Sequence, residues 1–543
     1  MIADINITEK SFGPKSLYKN VILSIQDSEK IGVIGRNGVG KSTLFGILTG
    51  SDKDFTGEIV YRRGTTVVAT SQEHHEAADT TVLQYVLAGL PEYAELSHVV
   101  ETYPETMGDD MKKIETYTNA LQRFDDKGFY QIEEVVEREL ENFQLSGVAH
   151  RPFASLSGGQ KRLVEVVKVM HSDAHLALID EPTNHMDFVA KEQFIEWMKG
   201  AREAMLIITH DRDVLKHVDR IVELKDGMSV SFKGNYDAYL KQNAVSTGSA
   251  MNEFQMIEKR IANLKVKVLD YQRLKEKSRN PGTIQKFKRL EEVSRKELAE
   301  LQAKEKPTFW IDKESVENLN YKVAGQYEKF KAKNIRMTLR GDKSRSSHVL
   351  VSAKNLSLGY DTPLFSGINI DLREGEAVEL RGRNGAGKTT IIKALLGDKA
   401  PRYFEGELEL DPQVRVGIYE QEVSRDYFEL SLHDAIEKMY LDKGLAISET
   451  KIRSLMSDYL FTEGDAQVPL SHLSGGQKAR FQLISMLAND PQLLILDEPT
   501  NHLDLPSIEE LENALERYAG AILYVSHDSY FQDSVGGEVI RVS

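Results

Sequence analysis

The sequence of 543 residues contains no cysteine. It can therefore form no disulfide, no thiolate-held iron–sulfur cluster, no cysteine zinc site and no thiol nucleophile. Long apolar runs are also missing, because no stretch approaches the ~18 residues of a membrane-spanning helix. The N-terminal segment MIADINITEK lacks the apolar core of a signal peptide. These absences predict a soluble, cytoplasmic protein.

Positive charge is not in excess. The 69 Lys and Arg residues stand against 84 Asp and Glu residues, which gives a formal net charge of −15. This balance excludes a uniformly basic nucleic-acid binder but leaves room for a local basic segment. Hydrophobic residues at 41% and charged residues at 28% exclude wholesale disorder. The length suggests about three domains.

One set of motifs occurs twice in the chain. The repeated segments are GRNGVGKST at 35–43 and GRNGAGKTT at 382–390, LSGGQKR at 156–162 and LSGGQKA at 473–479, LALIDEPTNHMD at 176–187 and LLILDEPTNHLD at 493–504, and ITHD at 208–211 and VSHD at 525–528. Lys41 and Lys388 are 347 positions apart, whereas the later motifs are each 317 apart. The first copy therefore holds 30 extra residues after Gln72, which we assign to the polar stretch around 90–130.

The repeat predicts three parts of the chain. Residues 1–240 form a first nucleotide-binding domain with the short insertion, 241–334 form a linker, and 335–543 form a second nucleotide-binding domain. The segment IRMTLR at 335–340 has the pattern of an edge strand that leads into the second domain. The predicted fold class is α/β, with two P-loop domains joined by an α-helical hairpin.

Each half has an apolar strand pattern, a glycine-rich turn and a helix start, which is the context of a P-loop. Backbone N–H groups of the turn bind phosphate oxygens, the lysine reaches the β- and γ-phosphates, and the following hydroxyl binds Mg²⁺. Seven residues of each copy form the predicted cradle: Gly35, Asn37, Gly38, Gly40, Lys41, Ser42 and Thr43 in the first, and Gly382, Asn384, Gly385, Gly387, Lys388, Thr389 and Thr390 in the second.

A second group of residues supplies the chemistry of phosphoryl transfer. Asp180 and Asp497 end buried strand patterns and are placed to hold Mg²⁺, while Glu181 and Glu498 are placed to polarise the attacking water. The histidines His210 and His527 close a later strand pattern and are predicted to contact the γ-phosphate. A purely structural histidine is the alternative.

This set of motifs resembles the ABC ATPase family. The resemblance implies that the two domains close head to tail, with one ATP between each P-loop and the LSGGQ of the other domain. Lys41 would then work with Ser474, and Lys388 with Ser157. Further nucleotide contacts implied by the resemblance are Gly158, Gly159 and Gln160, Gly475, Gly476 and Gln477, the Mg²⁺-contacting Gln72 and Gln421, and the adenine-stacking Phe12 and Tyr360. For the two aromatics, a core position is the alternative.

The two DEPTNHxD copies narrow the resemblance to the ABC-F group, whose members are tandem ATPases without membrane domains. The resemblance covers essentially the whole chain. In that group the insertion of the first domain is an arm that contacts the ribosome, and the linker hairpin enters the tRNA exit site. There it contacts the tRNA in the peptidyl site and approaches the peptidyl-transferase centre.

The linker has the pattern of two helices. Phe254, Ile257, Ile261, Leu264, Val268 and Tyr271 follow a heptad spacing. Residues 279–282, Arg-Asn-Pro-Gly, break it and predict the hairpin tip. Ile284, Phe287, Leu290, Leu298 and Leu301 continue the pattern in a second helix that is less regular at Glu291 and Ser294.

The linker is also the basic segment. Residues 241–310 carry 16 Lys and Arg against 9 Asp and Glu, so the rest of the chain is more acidic than the average. Such a basic segment is suited to binding in a cleft lined by phosphate groups. A solvated coiled-coil surface is the alternative. The predicted RNA contacts are Arg273, Lys275, Lys277, Arg279, Lys286, Lys288 and Arg289.

The resemblance therefore implies an ATPase with two composite sites, with ATP and Mg²⁺ as cofactors. Its partners would be the 70S ribosome, with its rRNA and peptidyl-site tRNA, and no membrane. The chain would be a monomer whose two domains pair with each other. The role would be translation regulation or ribosome protection against antibiotics.

Other classes fit the sequence less well. An ATP-binding subunit of an ABC transporter would need a membrane partner and lacks a long basic hairpin. The DNA-repair and ribosome-recycling members carry metal-binding cysteines, which are absent here. A chromosome-type member would need a coiled coil of hundreds of residues. A non-enzymatic scaffold would not need both Glu181 and Glu498.

Overall fold

The computed structural model describes residues 1–13, 15–71, 80–106, 108–184, 186–304, 309, 310, 312, 327, 329–337, 339, 348–420 and 423–543. The chain forms two units. One consists of Met1–Tyr236 with Ile335–Ser543, and the other of Asp237–Asn334. Within the described ranges, no helix is both long enough and apolar enough to cross a membrane.

Among its described residues, the first domain has ten strands and eight helices. Its strands are β1 (Ala3–Phe12), β2 (Lys15–Tyr18), β3 (Val21–Ile25), β4 (Lys30–Gly35), β5 (Thr56–Tyr61), β6 (Val67–Ala69), β7 (Leu176–Asp180), β8 (Ala204–Ile208), β9 (Arg220–Lys225) and β10 (Met228–Lys233). Its helices are α1 (Lys41–Leu48), α2 (Val82–Ala88), α3 (Tyr93–Thr106), α4 (Met111–Asp126), α5 (Ile132–Asn142), α6 (Gly158–Met170), α7 (Phe188–Gly200) and α8 (Arg212–Leu215), with 3₁₀ turns at Phe129–Gln131 and Phe153–Ser155.

Two sheets organise this domain. An antiparallel sheet has the order β2-β1-β3, with β5 also paired to β1. The central sheet has the order β10-β9-β4-β8-β7-β6, and its strands are parallel except for the antiparallel edge pair β10 and β9. Strands β7 and β8 are buried at every position, and all their residues except Asp180 are apolar, as expected for parallel strands covered on both faces. Because β8 lies between β4 and β7, the carboxyl ends of these three strands share one edge.

Helices α3 and α4 lie in the stretch to which the 30 extra residues were assigned. They pack against each other. Asp110 caps α4 by accepting from the N–H of Lys112. At the end of α4, Phe124 is buried and its ring meets those of Tyr93 and Phe129, 6.1 and 5.3 Å between centroids. The insertion is therefore a helical pair fixed to the domain by an aromatic cluster. Its role as an arm stays a prediction.

The second unit contains a pair of long helices, α9 (Tyr236–Lys277) and α10 (Pro281–Gln302). They run antiparallel, as shown by the ion pair of Arg260 with Glu297 (2.7 Å) and the stacked rings of Tyr271 and Phe287 (6.3 Å). At the turn, the side chain of Asn280 caps α10 by accepting from the N–H of Gly282, and Pro281 takes a first-turn position where no N–H is needed.

The inner face of α10 differs from the predicted one in its middle. Glu291 and Ser294 are the buried residues there, at 6% and 8% exposure, whereas Leu290 is 37% exposed. The heptad spacing thus runs through Ile284, Phe287, Glu291 and Ser294. The apparent irregularity is a polar pair inside a regular seam, so the assignment of Leu290 to the seam was wrong.

The second domain repeats the architecture of the first. Its strands are β11 (Val349–Gly359), β12 (Pro363–Arg373), β13 (Ala377–Arg381), β14 (Arg402–Leu410), β15 (Val416–Tyr419), β16 (Leu493–Asp497), β17 (Ala521–Val525) and β18 (Glu538–Arg541). Its helices are α11 (Lys388–Leu395), α12 (Leu432–Asp442), α13 (Glu449–Asp458), α14 (Gly475–Leu487), α15 (Leu505–Glu516) and α16 (Ser529–Val535), with 3₁₀ turns at Arg425–Tyr427, Asp465–Gln467 and Leu470–His472.

Its sheets have the orders β12-β11-β14 and β15-β16-β17-β13-β18, the second being entirely parallel. Strand β17 lies between β13 and β16, as β8 lies between β4 and β7. The edge strand predicted at 335–340 is not formed by its described residues. Ile335 is buried in the helical core of the domain, and the N–H of Arg336 donates to the carbonyl of Asp458 at 2.8 Å. The α/β architecture of two P-loop domains with a helical pair between them is confirmed.

Candidate nucleotide sites

Each P-loop follows a central strand and opens a helix. Gly40 and Gly387, at the helix starts, have φ values of 106° and 102°, which disfavour any residue with a Cβ. A Cβ would also lie 2.8 Å from the hydroxyl of Tyr18 at Gly40, and 2.7 Å from the Phe365 ring at Gly387. Only glycine therefore fits either turn.

The two P-loop lysines take the same conformation. The Nζ of Lys41 donates to the carbonyl of Gly35, and that of Lys388 to the carbonyl of Gly382, both at 2.7 Å. Both lysines are nearly buried. Burial lowers the pKa of each ammonium, because the charged form loses hydration. A phosphate group beside them would supply the missing counter-charge.

A hydroxyl and a carboxylate meet at each P-loop. The Oγ of Ser42 donates to Asp180 at 3.0 Å, and the Oγ1 of Thr389 donates to Asp497 at 3.0 Å. Burial raises the pKa of Asp497 to about 6. Oxygen donors of this kind are the ligands that Mg²⁺ prefers. The residues present thus fit a phosphate-bound Mg²⁺ at both loops.

The glutamates that follow these aspartates have an unusual backbone. Glu181 and Glu498 have φ values of 48° and 50°, in the left-handed region that residues with a Cβ rarely adopt. The N–H of Glu181 donates to the carbonyl of Ile208, and that of Glu498 to the carbonyl of Val525. The pairing with the neighbouring strand thus holds each glutamate at the sheet edge.

A histidine that follows the intervening strand faces each glutamate. The Nε2 of His210 lies 3.5 Å from Oε1 of Glu181, and that of His527 lies 3.2 Å from Oε1 of Glu498. Burial lowers the pKa of His210 to about 3 and that of His527 to about 4. It raises the pKa of Glu181 to about 8 and that of Glu498 to about 7.

These directions describe two neutral imidazoles, each beside a carboxyl whose pKa lies near the working pH, as suits a general base. Both ring nitrogens of His210 are buried without a hydrogen-bond partner among the described residues. His210 lines the cavity above the first P-loop. These orphaned atoms fit a polar ligand such as a terminal phosphate.

The two P-loops face the LSGGQ motifs of the opposite domains. The first site is a cavity of about 680 Å³ in which Lys41 and Asp180 lie with Ser474, Gly475 and Gly476. The second site is a cavity of about 830 Å³ in which Lys388 and Asp497 lie with Ser157, Gly158 and Gly159. Further predicted residues that line them are Asn37, Gly38, Gly40, Ser42 and Thr43 in the first, and Gln160, Asn384, Gly385, Gly387, Thr389 and Thr390 in the second.

The LSGGQ serines cap the helices α6 and α14. The hydroxyl of Ser157 accepts from the N–H of Gln160, whose side chain accepts from the N–H of Ser157 in return, and Ser474 and Gln477 repeat the arrangement. Gln477 also donates to Asp465 at 2.8 Å. The glutamines thus shape the helix N-termini, which suit anion binding.

The aromatic residues assigned to adenine lie at these cavities. Phe12 lines the first and Tyr360 the second. They are 55% and 42% exposed, which excludes the core alternative for both. The glutamines Gln72 and Gln421 lie outside the described residues.

Sequence reasoning missed the contacts made by the last residue of each DEPTNHxD motif. Asp504 caps α15 and also accepts from the backbone N–H of Asn37 in the opposite P-loop at 3.2 Å. Asp187 caps α7 and accepts from the N–H of Asn384 at 3.0 Å. The carbonyl of His502 accepts from the Asn37 side chain at 2.9 Å. The sequence carried one sign of this role, because the two aspartates are 317 positions apart, as are the other late motifs.

The predicted RNA-contacting residues of the second unit surround the hairpin turn. Six of them are exposed, namely Arg273, Lys277, Arg279, Lys286, Lys288 and Arg289. Lys275 differs, because its ammonium is bound to the buried Glu291 at 2.7 Å.

Comparison with known proteins agrees with these sites. The sequence model of the ABC transporter family matches residues 18–184 and 365–501, more than half of the chain. YdiF of Bacillus subtilis, named as an ATP-binding protein, is 31% identical, and the match covers 100% of this chain and 80% of that protein. ABC transporter F family member 5 of Arabidopsis thaliana is 29% identical, with 98% and 74% covered. The ribosome protection protein VmlR of Bacillus subtilis is 27% identical, with 99% and 86% covered.

The chain therefore belongs to the ABC family of ATPases. Within that family it is an ABC-F protein, with two ABC domains in tandem and a long helical pair between them. It binds ATP and hydrolyses it to ADP and phosphate.

Proposed function

We propose that each site binds one Mg²⁺-ATP between the P-loop of one domain and the LSGGQ motif of the other. Asp180 and Asp497, with the P-loop hydroxyls, hold the metal ion, which neutralises charge on the phosphates when it is bound. Phe12 and Tyr360 stack on the adenine. The observation that supports this arrangement is that each cavity is lined by both motifs.

Hydrolysis requires a water molecule in line with the γ-phosphate. Glu181 and Glu498 lie at the sheet edge beside the P-loops, and in this proposal they orient and deprotonate that water. The neutral histidines His210 and His527 each donate their one ring N–H to the γ-phosphate, and the backbone N–H of His527 holds Glu498. Their low pKa keeps the rings neutral, so they add no charge that would compete with Mg²⁺.

Beyond ATP hydrolysis, we propose that the protein binds the bacterial ribosome while its domains are closed on ATP. The single observation that carries this is the exposed basic turn of the helical pair, in a chain that is otherwise acidic. Its cations would contact phosphates of rRNA and of the peptidyl-site tRNA, with residues 279–282 entering the tRNA exit site toward the peptidyl-transferase centre. The name of the relative VmlR, a ribosome protection protein, supports the same partner. Hydrolysis then opens the domains and releases the ribosome.

The test is co-sedimentation of the Glu181→Gln/Glu498→Gln protein with 70S ribosomes in ATP and in ADP. We expect pelleting in ATP only, because the variant binds ATP without hydrolysing it. A matched control replaces both P-loop lysines, Lys41→Ala/Lys388→Ala, and should stay in the supernatant. If the glutamine variant pellets in neither nucleotide, the protein is better explained as an ATP-binding subunit of a transporter, the alternative function.

The ribosome-bound protein would serve either translation regulation or protection against antibiotics. The two roles are separated by expressing the protein in a drug-sensitive host. A raised inhibitory concentration for drugs that bind near the peptidyl-transferase centre, lost in the Glu181→Gln/Glu498→Gln protein, would support protection. An unchanged inhibitory concentration for all such drugs would leave regulation as the role.

A further inference from the structure

A buried lysine of the first ATPase domain contacts the second domain. Lys191 in α7 is 7% exposed, and its ammonium pairs with Asp213 at 2.7 Å and with Asp211 at 3.4 Å. The same ammonium donates to the backbone carbonyl of His527 in the other domain. Burial disfavours the ammonium, but the two aspartates outweigh it and raise the pKa of Lys191 above its ordinary value. The ammonium of Lys191 therefore stays protonated.

The contact acts on the backbone of a residue that faces the second site. The N–H of His527 donates to Oε2 of Glu498 at 3.2 Å, and its Nε2 lies 3.2 Å from Oε1 of the same glutamate. A shift of this backbone would change both distances. A second contact holds the same turn, because the hydroxyl of Ser529 donates to Asp213. The first domain thus fixes the turn that carries His527 at two points.

The second domain holds the turn after His210 by a different contact, in which Glu512 and Asp528 bind Arg212. At the common offset of 317, the equivalent of Lys191 is Ile508 and the equivalent of Asp213 is Tyr530. Neither side chain carries a charge that can hold the carbonyl of His210. The repeated domains therefore differ at this pair of equivalent positions, Lys191 and Ile508.

We propose that Lys191 is a positioning residue, acting across the interface, for hydrolysis at the second site. Pairing of the domains brings its ammonium onto His527, which fixes the geometry of Glu498. The first site has Ile508 at the equivalent position, so loss of the Lys191 ammonium should slow the second site more than the first. This inference rests on the proposed role of His527.

The experiment measures single-turnover ATP hydrolysis, site by site, in the full chain. Glu181→Gln leaves hydrolysis to the second site, and Glu498→Gln leaves it to the first. Adding Lys191→Met should slow the second-site reaction roughly 10- to 100-fold, as a small misplacement of a reacting group does. It should leave the KM for ATP almost unchanged. The first-site reaction should slow much less, because there the substitution removes only the charge partner of Asp211 and Asp213, on the turn after His210. Lys191→Arg, which keeps the cation, should restore most of the second-site rate.

A matched control is Ile508→Met, a volume-conserving change at the equivalent position, which should affect neither site. An equal loss at both sites after Lys191→Met would show a structural role and overturn the inference, as would no loss at either. If the single glutamine variants are inactive, the Lys191→Met protein without them is loaded with two ATP per chain. Half of the bound ATP should then be hydrolysed in a faster phase, and the other half in a phase roughly 10- to 100-fold slower than wild type. Uniform slowing or a wild-type time course would contradict the proposal.

His527→Ala separates this inference from the proposed function. If that variant hydrolyses at the second site at the wild-type rate, the role of the histidine is wrong, and Lys191 has nothing to position. If His527→Ala silences the second site while Lys191→Met does not, only the role of Lys191 is wrong.

Discussion

At the scale of single residues, each site depends on a glutamate with a strained, left-handed backbone, and that of the second site is also buried. Glu498 is 9% exposed, has a left-handed backbone and has Asp497 beside it. A left-handed residue with a Cβ costs roughly 1–3 kcal/mol and persists only where the surroundings enforce it. Here the hydrogen bond from its N–H to Val525 does so. The Asp-Glu motif identifies this residue from the sequence, whereas its raised pKa results from burial in the folded protein.

The raised pKa predicts a pH-dependent stability. The pKa of Glu498 moves from an ordinary 4.5 to about 7 on folding, so the folded state prefers the neutral acid. Stability from this group is complete below pH 4.5 and is lost as the pH rises through 7. We expect Glu498→Gln, which cannot ionise, to stabilise the nucleotide-free protein by about 1–3 kcal/mol at pH 8 and by almost nothing near pH 4.5.

Thermal unfolding of both proteins across this pH range, without nucleotide or Mg²⁺, measures the difference. Glu429→Gln is the control, because Glu429 is exposed and the substitution removes the same charge. A stabilisation by Glu498→Gln that stays constant with pH would show that folding does not raise the pKa of this carboxyl.

At the scale of helices and strands, the helical pair has a polar residue at a position where the heptad spacing predicts an apolar one. Glu291 is buried and accepts from Lys275 at 2.7 Å and from Arg295 at 2.9 Å. Both cations keep part of their surface in water, so the pair is only partly desolvated. A polar residue at a seam position lowers stability while it fixes the register of two helices.

We expect Glu291→Leu to stabilise the helical pair by about 1 kcal/mol, because it extends the apolar seam and lets both cations return to water. Amide hydrogen exchange over residues 284–301 measures this as slower exchange. The exposed neighbour offers a control, Glu292→Leu, which should leave exchange unchanged. Faster exchange after Glu291→Leu would identify the ion pair as a net stabiliser.

The basic turn gives a second prediction at this scale. Lys286, Lys288 and Arg289 are exposed on one turn of α10. Reversing all three to glutamate should weaken ribosome binding and lower the slope of its salt dependence by roughly 3, about one for each lost phosphate contact. Basal ATPase should remain, since these residues lie outside both nucleotide cavities.

Binding at several salt concentrations measures the slope. A control with the same change of charge is Lys399→Glu/Arg402→Glu/Arg517→Glu, on exposed residues of the second domain. If the control weakens binding equally, net charge and not the helical pair determines affinity. If the triple reversal in α10 abolishes ATPase in the free protein, the pair has a structural role instead.

At the scale of the whole molecule, the two ATPase domains are joined by buried charge. Arg212 is 8% exposed and reaches Asp528 at 3.0 Å and both carboxylate oxygens of Glu512 in the other domain. A bidentate contact between an arginine and a carboxylate requires a specific orientation of both side chains. Removing one partner of a buried pair is costly, because the remaining charges stay buried without compensation.

Arg212→Met should therefore weaken the pairing of the domains by about 3–5 kcal/mol. In the Glu181→Gln/Glu498→Gln background, the rise in the unfolding midpoint that Mg²⁺-ATP produces should become much smaller. The control Arg415→Met removes a half-exposed arginine that pairs with Asp490 inside the second domain, and should keep the full rise. A full rise with Arg212→Met would show that this pair contributes nothing to closure.

Much of this architecture follows from the sequence alone. The P-loops, the Asp-Glu pairs, the histidines and the LSGGQ motifs are local patterns, and their repetition in the same order identifies two similar domains. The helical pair is equally local, since heptad spacing and a Pro-Gly break encode it. For these reasons the fold class and the ABC-F membership could be predicted without a structure.

Only the tertiary structure decided the contacts between the two copies. Asp187 and Asp504 reach the opposite P-loops, and Lys191 reaches His527, across more than 190 positions of the chain. The polar seam position of Glu291 and the irregular segment at Ile335 also depend on what packs against them. A repeat fixes what each domain contains, but how the two face each other is set by packing and by buried charge, which spacing along the chain does not encode.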